Sequence, residues 1–386
     1  METLKFELHD MATMMTAILC FLFATMIVVS GKFRPVSAFL LAGFFLSQSF
    51  ISVHELVLYG DQFRYTVLNK SPNWFFIGSL GYAINGPLLY LYVVSIIRPD
   101  FSLSIKHRWY LLPLAIYFIF FIGTFYSQEY WVKHQIIELY LFDLDWHFVT
   151  MDTLIKSSRF IYLVMSIYLI NKYREQLKDL RSNIENIDLT WLKILVTGFA
   201  LVALVGVFLA LSKVINLFYP VEISLQIFLG LTTYYLDLIL VCFLLFFSAV
   251  NISSVEKLKD QPNNSYHDYE ADAEYVDRIK KFMADEKPYL KSTITLDALS
   301  ELMDVPAREL TAILNGHFKM NFYEFINNYR VEDAKQILSA DENQEKSIAD
   351  VLLMVGFNSK SVFNTFFKKN VGSTPTDFRN QRLKNN

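Results

Sequence analysis

Two sets of polar residues carry the chemistry this chain is equipped for. The first lies in KSVFNTFFKK at 360–369, where Lys360, Asn364 and Lys368 recur at four-residue intervals with Thr365 beside them. That spacing lays them on one stripe of a helix, away from Phe363, Phe366 and Phe367. Ammonium and amide groups on such a stripe donate hydrogen bonds to phosphate oxygens and to base edges in a groove. Arg308 and Thr311 are a smaller set of the same kind, left outward when Leu310, Ile313 and Leu314 are buried. The second set is Asp237, Arg159 and Asn85, each inside a long apolar run. A charge or amide is costly to hold in hydrocarbon, so such residues either tie helices together or meet a signal, a ligand or an ion.

The elements that position the first set follow from hydrophobic periodicity. In TLDALSELMDVPARELTAIL at 295–314, Leu296, Leu299 and Leu302 mark one face of a short helix. Asp304–Val305–Pro306 ends it and starts the next, with proline in the first turn. A second copy of this plan runs from Ser347 to Lys369. Ser347 and Asp350 resemble a capping box, and Ile348, Val351 and Leu352 pack inward. Val355–Gly356–Phe357 then turns the chain, glycine supplying a backbone angle that other residues resist. Between the copies, Phe322, Phe325, Ile326, Tyr329, Ala334, Ile337 and Leu338 suit one connecting helix. From Gly356 onward Lys360, Lys368, Lys369, Arg379, Arg382 and Lys384 face Asp377 alone. That surplus attracts phosphate without reading sequence.

The second set belongs to seven apolar runs: Met11–Ser30, Val36–Leu58, Trp74–Ile97, Trp109–Tyr126, Thr153–Ile170, Trp191–Lys213 and Leu225–Val250. Each is near the roughly 20 residues that a bilayer-spanning helix needs. Arg159 and Asp237 differ in expected depth by about 9 Å, most of which an arginine side chain bridges. His54 and Glu55 lie close to a span end, where water is at hand, and carry no assignment. Pro87 is compatible with a kink in the third span. Arg34, Lys106, Arg108, Lys172, Arg174, Lys178, Arg181 and Lys257 fall in alternate loops, while Glu129, Glu138, Asp143, Asp145 and Asp152 fall in the others. The positive-inside rule then predicts an outside N-terminus and a cytoplasmic C-terminus, and an odd number of spans agrees. The aromatic segment Ser127–Asp152 either lies on the bilayer surface or lines a ligand-binding mouth.

With 386 residues, 53% hydrophobic and 19% charged, the chain is too apolar for an ordinary soluble domain and too charged for a purely membrane-embedded one. A split, all-α chain fits: a seven-helix transmembrane bundle at 1–254, a polar linker at 255–274, and a helical domain with two helix-turn-helix units at 275–386. Periodicity restarts at Tyr275, Ile279, Phe282 and Met283. The linker, with Pro262 at its centre, is expected to be flexible and to span roughly 25 Å. Cys20 and Cys242 lie in apolar runs and support neither a disulfide nor a thiolate zinc site. No catalytic constellation, metal site or cofactor is expected, and no phosphate-cradling glycine loop is visible.

Residues Asp297 to Arg379 resemble the DNA-binding domain of the AraC/XylS transcription regulator family. The resemblance rests on Gly356–Phe357, Ser361, Phe363, Phe367–Lys368, Gly372 and Thr374–Pro375, with Arg379 after them, and FYEFINNYRVEDAKQIL is similar to the family's linking helix. It implies two recognition helices held by one linking helix and entering successive major grooves. On this chain Arg308 and Thr311 match base-facing positions of the first, and Lys360, Ser361 and Thr365 those of the second. Thr365 stands where many members carry Arg, Ala312 is small at another reading position, and Asn315 replaces a frequent Lys. Direct readout by the second helix is therefore expected to be weaker, or directed at a different base.

The expected function is a membrane-anchored, one-component transcription regulator in a bacterial inner membrane. Its partners are double-stranded DNA, the lipid bilayer, RNA polymerase, a second copy in a homodimer and an unidentified signal ligand. The alternatives are a membrane transporter or enzyme fused to a regulatory domain, and a structural anchor that keeps DNA at the membrane.

Overall fold

The computed structural model describes residues 7–30, 34–98, 100–182, 189–251, 273–340 and 345–385. Among these every regular element is a helix, with one isolated β-bridge between Arg181 and Thr295. The polar linker falls almost wholly at 252–272, outside the described residues. Two compact units are present: 1–170 with 189–258, and 171–188 with 259–386. Division by sequence at 254 and 275 leaves 171–188 with the apolar part; by contacts these residues belong to the second unit.

The first unit contains α1 (Leu8–Ser30), α2 (Pro35–Tyr59), α3 (Asp61–Lys70), α4 (Leu80–Ile97), α5 (Leu112–Phe121), α6 (Tyr130–Glu138), α7 (Trp146–Leu177), α8 (Thr190–Asn216) and α9 (Ile223–Asn251). The last residues of α7, from Asn171, count with the second unit. Among the described residues seven helical stretches are long and apolar enough to cross a membrane, and they fall on the seven runs named above.

Three of them differ most in extent from the sequence reading. The third starts at Leu80 rather than Trp74, because Pro72–Trp74 forms a separate 3-10 turn and Phe76 adopts φ +65°. The fourth is composite, with a 3-10 turn at Ile105–Leu111 before α5 and a π-helical turn at Ile122–Tyr126 after it. The fifth begins at Trp146 rather than Thr153 and runs on to Leu177, where Tyr173 and Leu177 continue a buried stripe. Pro87 lies inside α4 without ending it.

Aromatic packing organises this unit. Phe44 meets Phe199 edge to face at 4.8 Å between centroids, and Phe76 touches the rings of Phe121, Phe125, Phe142 and Phe148. Edge-to-face pairs are worth about 0.5–1.5 kcal/mol beyond their buried area. The segment 127–152 does not merely lie alongside: Ile137 and Phe142 are buried in the same cluster as Phe76 and Phe125. The outer surface stays apolar, with Ile18, Phe21 and Leu22 on α1, Ile119 on α5, and Phe228, Ile239 and Phe246 on α9 all exposed.

The second unit contains α10 (Ala273–Asp285), α11 (Leu296–Met303), α12 (Ala307–Gly316), α13 (Phe322–Ser339), α14 (Ile348–Met354), α15 (Lys360–Val371) and α16 (Pro375–Asn385). Its first core gathers Val276, Ile279 and Met283 of α10 with Leu299, Leu310, Phe322, Phe325 and Ile326. Two details depart from the sequence reading. Leu302 is 59% exposed and Met303 takes the inward position, because it lies seven residues from Leu296 and four from Leu299, on the buried stripe. Pro306 is the N-cap rather than a first-turn residue, and Asp304 makes the turn at φ +51°.

Caps set the other boundaries. Thr295 accepts from Ala298 N, Asn321 from Glu324 N, and Ser359 from Val362 N. Ser347 and Asp350 form the reciprocal capping box, in which two orphan N–H groups are satisfied at once. The Ser347 hydroxyl and N–H hold the Asp350 carboxyl below the usual carboxylate range.

Candidate nucleic-acid interface and buried polar clusters

The linking helix α13 carries both helix-turn-helix units. Phe325 and Ile326 enter the core that contains Leu310 and Ile313 of α12. On the other side Tyr323 meets Phe366 of α15 at 5.3 Å between centroids, and Asn370 donates to Asn328 at 2.7 Å. Gly356, at φ +90°, forms the second unit's turn. A Cβ there would stand 2.7 Å from the Tyr289 carbonyl and 2.8 Å from that of Leu290, so both angle and space demand glycine. Gly372 closes α15 at φ +85°, its N–H donating to Lys368 O.

On this frame Arg308, Lys360, Ser361, Thr365, Lys368 and Lys369 are exposed, and Thr311 and Asn364 are half-buried. Thr311 Oγ1 donates to Ala307 O at 2.8 Å and Thr365 Oγ1 to Ser361 O at 2.9 Å. Each threonine hydrogen is thus committed within its own helix. What remains to offer is an acceptor lone pair and a methyl group, suited to an amino-bearing base edge or a thymine methyl. Lys369 pairs with Glu324 of α13 at 3.3 Å, which turns it from the Lys360–Asn364–Lys368 stripe toward the linking helix.

Two buried polar residues of α13 carried no assignment from sequence: Asn327 and Arg330 are 0% and 1% exposed. The visible sign was position, since Arg330 stands four residues from both Ile326 and Ala334 on the apolar stripe. Its guanidinium donates to the carbonyls of Tyr289, Lys291 and Ser182 and to Asn327 Oδ1, and it lies 5.6 Å from the centroid of the Phe357 ring.

In the first unit, Asn85, Arg159 and Asp237 all lie at one place, but no direct Arg159–Asp237 bond joins them. Gln48 does. Its Nε2 donates to Asp237 Oδ2 at 3.0 Å, and its Oε1 accepts from Arg159 NH2 at 3.1 Å and from Asn85 Nδ2 at 3.4 Å. Gly86 lets α4 approach α7 closely enough for this, since a Cβ there would sit 3.1 Å from Arg159 Cα. The sign missed was the amide of Gln48 in the apolar string FFLSQSF. Asn85 Oδ1, Arg159 Nε and Asp237 Oδ1 remain buried without a hydrogen-bond partner among the described residues.

A second cluster lies toward the segment 127–152. Glu55, unassigned from sequence, accepts the hydroxyls of Tyr82 at 2.8 Å and Tyr234 at 2.9 Å. Lys213 reaches Asp143 at 2.6 Å and Tyr59 at 2.8 Å, and Lys156 pairs with Asp152 at 2.9 Å. His54, Glu55, Asp143, Asp152 and Lys213 help line a cavity of about 50 Å³. Among the described residues no three His, Cys, Asp or Glu side chains are placed to hold a metal ion. Cys20 is buried and Cys242 exposed, both free.

The C-terminal unit is thus a double helix-turn-helix domain with one linking helix, the architecture of a groove-reading module. Residues 299–381 match the family described as "Helix-turn-helix domain", which identifies this part of the chain as an AraC-type DNA-binding domain. Among curated proteins, the "Bifunctional transcriptional activator/DNA repair enzyme AdaA" of Bacillus subtilis (strain 168) is 29% identical over 108 residues, 28% of this chain. The chain spans about half, 48%, of that relative's length. No solved structure matches the chain.

Proposed function

We propose that the protein is a membrane-anchored, one-component transcription regulator, in which a cue acting on the seven-helix unit alters how the AraC-type domain occupies DNA. One observation carries the anchoring: seven long apolar helices whose outward side chains are large and apolar, which only a hydrocarbon solvent makes comfortable. The basic loops argue for a cytoplasmic C-terminal domain, which is also the compartment that holds the DNA. A bacterial cytoplasmic membrane is the matching location.

The DNA-contacting residues in this reading are Arg308, Thr311, Lys360, Ser361, Asn364, Thr365 and Lys368, with Lys369 at the margin. Asp237, Arg159 and Asn85 with Gln48 are the intramembrane contact that a cue would perturb, and the cavity beside Lys213 and Asp143 is where a small ligand would enter. RNA polymerase and a second copy of the chain complete the partners, because one domain covers only a short site and two would bind more tightly. The activities in the curated relative's name belong to that relative. A transporter or enzyme fused to the regulatory domain is the second reading, favoured by the three unpartnered polar atoms around Gln48.

Reporter fusions after Asn386 test the topology: fluorescence in the cytoplasm supports it, and activity only of a periplasmic reporter refutes it. Selection of duplexes by the full chain in detergent tests DNA reading. Asp237→Asn separates the two readings, since altered transcription without altered flux favours the sensor.

A further inference from the structure

Residues 178–182, which follow α7, are built into the second unit. Leu180 packs against the core of α10, α11, α12 and α13. Its carbonyl accepts from Leu296 N at 2.9 Å, and Ser182 Oγ donates to Ile294 O at 2.9 Å, around the bridge between Arg181 and Thr295. Lys178 O accepts from Tyr323 N at 2.8 Å. Tyr323 is the second residue of α13, and a helix leaves its first N–H groups without internal partners. The loop therefore caps the linking helix from far away in sequence.

Ser182 is anchored still more firmly. The Ser182 carbonyl accepts from Asn327 Nδ2 at 3.2 Å and from Arg330 NH1 at 3.3 Å, and Ser182 Oγ accepts from Arg330 NH2 at 3.2 Å. Arg330 also holds the Tyr289–Lys291 turn and lies over the Phe357 ring in the second helix-turn-helix turn. One buried guanidinium thus ties the loop to the Tyr289–Lys291 turn and to the turn of the second helix-turn-helix unit. A buried polar network of this kind is costly to leave partly made, so it favours one arrangement of all its members.

We propose that Lys178–Ser182 is the docking segment through which α7 governs the head: it fills the groove between Ile294–Leu296 and the start of α13, and displacement of α7 is passed to α12, α13 and the Gly356 turn. The route does not use the linker at 252–272. The docking stands by itself; the governing half rests on the proposed function.

Amide exchange on the full chain in lipid nanodiscs tests the docking. The amides of Leu296 and Tyr323 are protected, and Leu180→Asp speeds their exchange about tenfold while Phe363, whose N–H donates to the Ser359 carbonyl at the N-cap of α15, keeps its rate. If Leu180→Asp also exposes Phe363, the milder Ser182→Ala decides, since it removes only the hydroxyl bonds and should loosen Leu296 alone. Unprotected Leu296 and Tyr323 in the wild type, or rates unchanged in both variants, overturn the docking. Two glycines inserted after Leu177 test the coupling. Transcripts controlled by the full chain should shift at least about threefold while Leu296 stays protected, and an identical profile overturns it. A wild-type chain that controls no transcript refutes the proposed function and leaves the exchange result intact.

Discussion

Gln48 on α2 and Asp237 on α9 are joined by one hydrogen bond of 3.0 Å, although 189 residues separate them. The same amide accepts from Arg159 on α7 at 3.1 Å, so a neutral side chain mediates between two charges that do not touch. Its donor serves the carboxylate and its acceptor the guanidinium, which fixes the amide's orientation.

Gln48→Leu is expected to lower the thermal stability of the detergent-solubilised protein by about 1–2 kcal/mol. Combining it with Asp237→Leu should cost less than the sum of the single changes, because the partners share one network. Strict additivity in a double-mutant cycle would show that the two residues act separately.

Lys213 and Asp143 form a pair of 2.6 Å with side chains 10% and 26% exposed. Lys213→Met leaves a largely buried carboxylate without its cation and should cost about 3–5 kcal/mol, whereas adding Asp143→Leu should restore most of the loss. Thermal unfolding of the three variants measures this. A double variant no better than the single would remove the pair from any account of stability.

Gly356→Ala should destabilise the second unit by more than about 1 kcal/mol, since the φ of +90° and the crowding by two carbonyls act together. Urea-dependent proteolysis of the full chain at sites beyond 273 reads this out. Gly372→Ala meets no neighbouring atom and should cost less, from its backbone angle alone. Equal losses would mean that the carbonyl contacts at Gly356 contribute nothing.

Lys368→Ala should weaken binding to all duplexes alike and reduce the salt slope by about 1. Lys360→Ala should instead narrow the gap between specific and random DNA by about 1–3 kcal/mol. Titrations at several salt concentrations separate them; the same change on both duplex types for both variants would undo the division. Thr365→Arg should shift the preferred base toward guanine, since arginine supplies the bidentate donors that the internally bonded threonine hydroxyl lacks.

Lowering the pH should weaken the start of α14. The Asp350 carboxyl is held below its ordinary range by Ser347, so its stabilising contribution is present above that range and fades as pH falls through the lowered value. Asp350→Asn should flatten this part of the acid limb in the proteolysis assay. An unchanged acid limb would exclude the capping carboxylate as its source.

Sequence by itself determined the long elements and the head. Apolar runs of about 20 residues predict long helices with the length and composition to cross a membrane, and the alternation of Leu310, Ile313, Leu314 with Arg308 and Thr311 leaves one face to bury. Glycine and capping residues declared the turns, because their backbone angles and short polar side chains act within a few residues. What only the tertiary structure decided were the pairings of groups remote along the chain. Gln48 reads as an ordinary polar residue until α4, α7 and α9 converge on it, and Lys213 reads as a boundary lysine until Asp143 meets it. The loop at 178–182 reads as a basic connection, yet it is part of the second unit. Periodicity records which face of a helix is buried; which polar group waits on the opposing surface depends on long-range packing, and no local spacing encodes that.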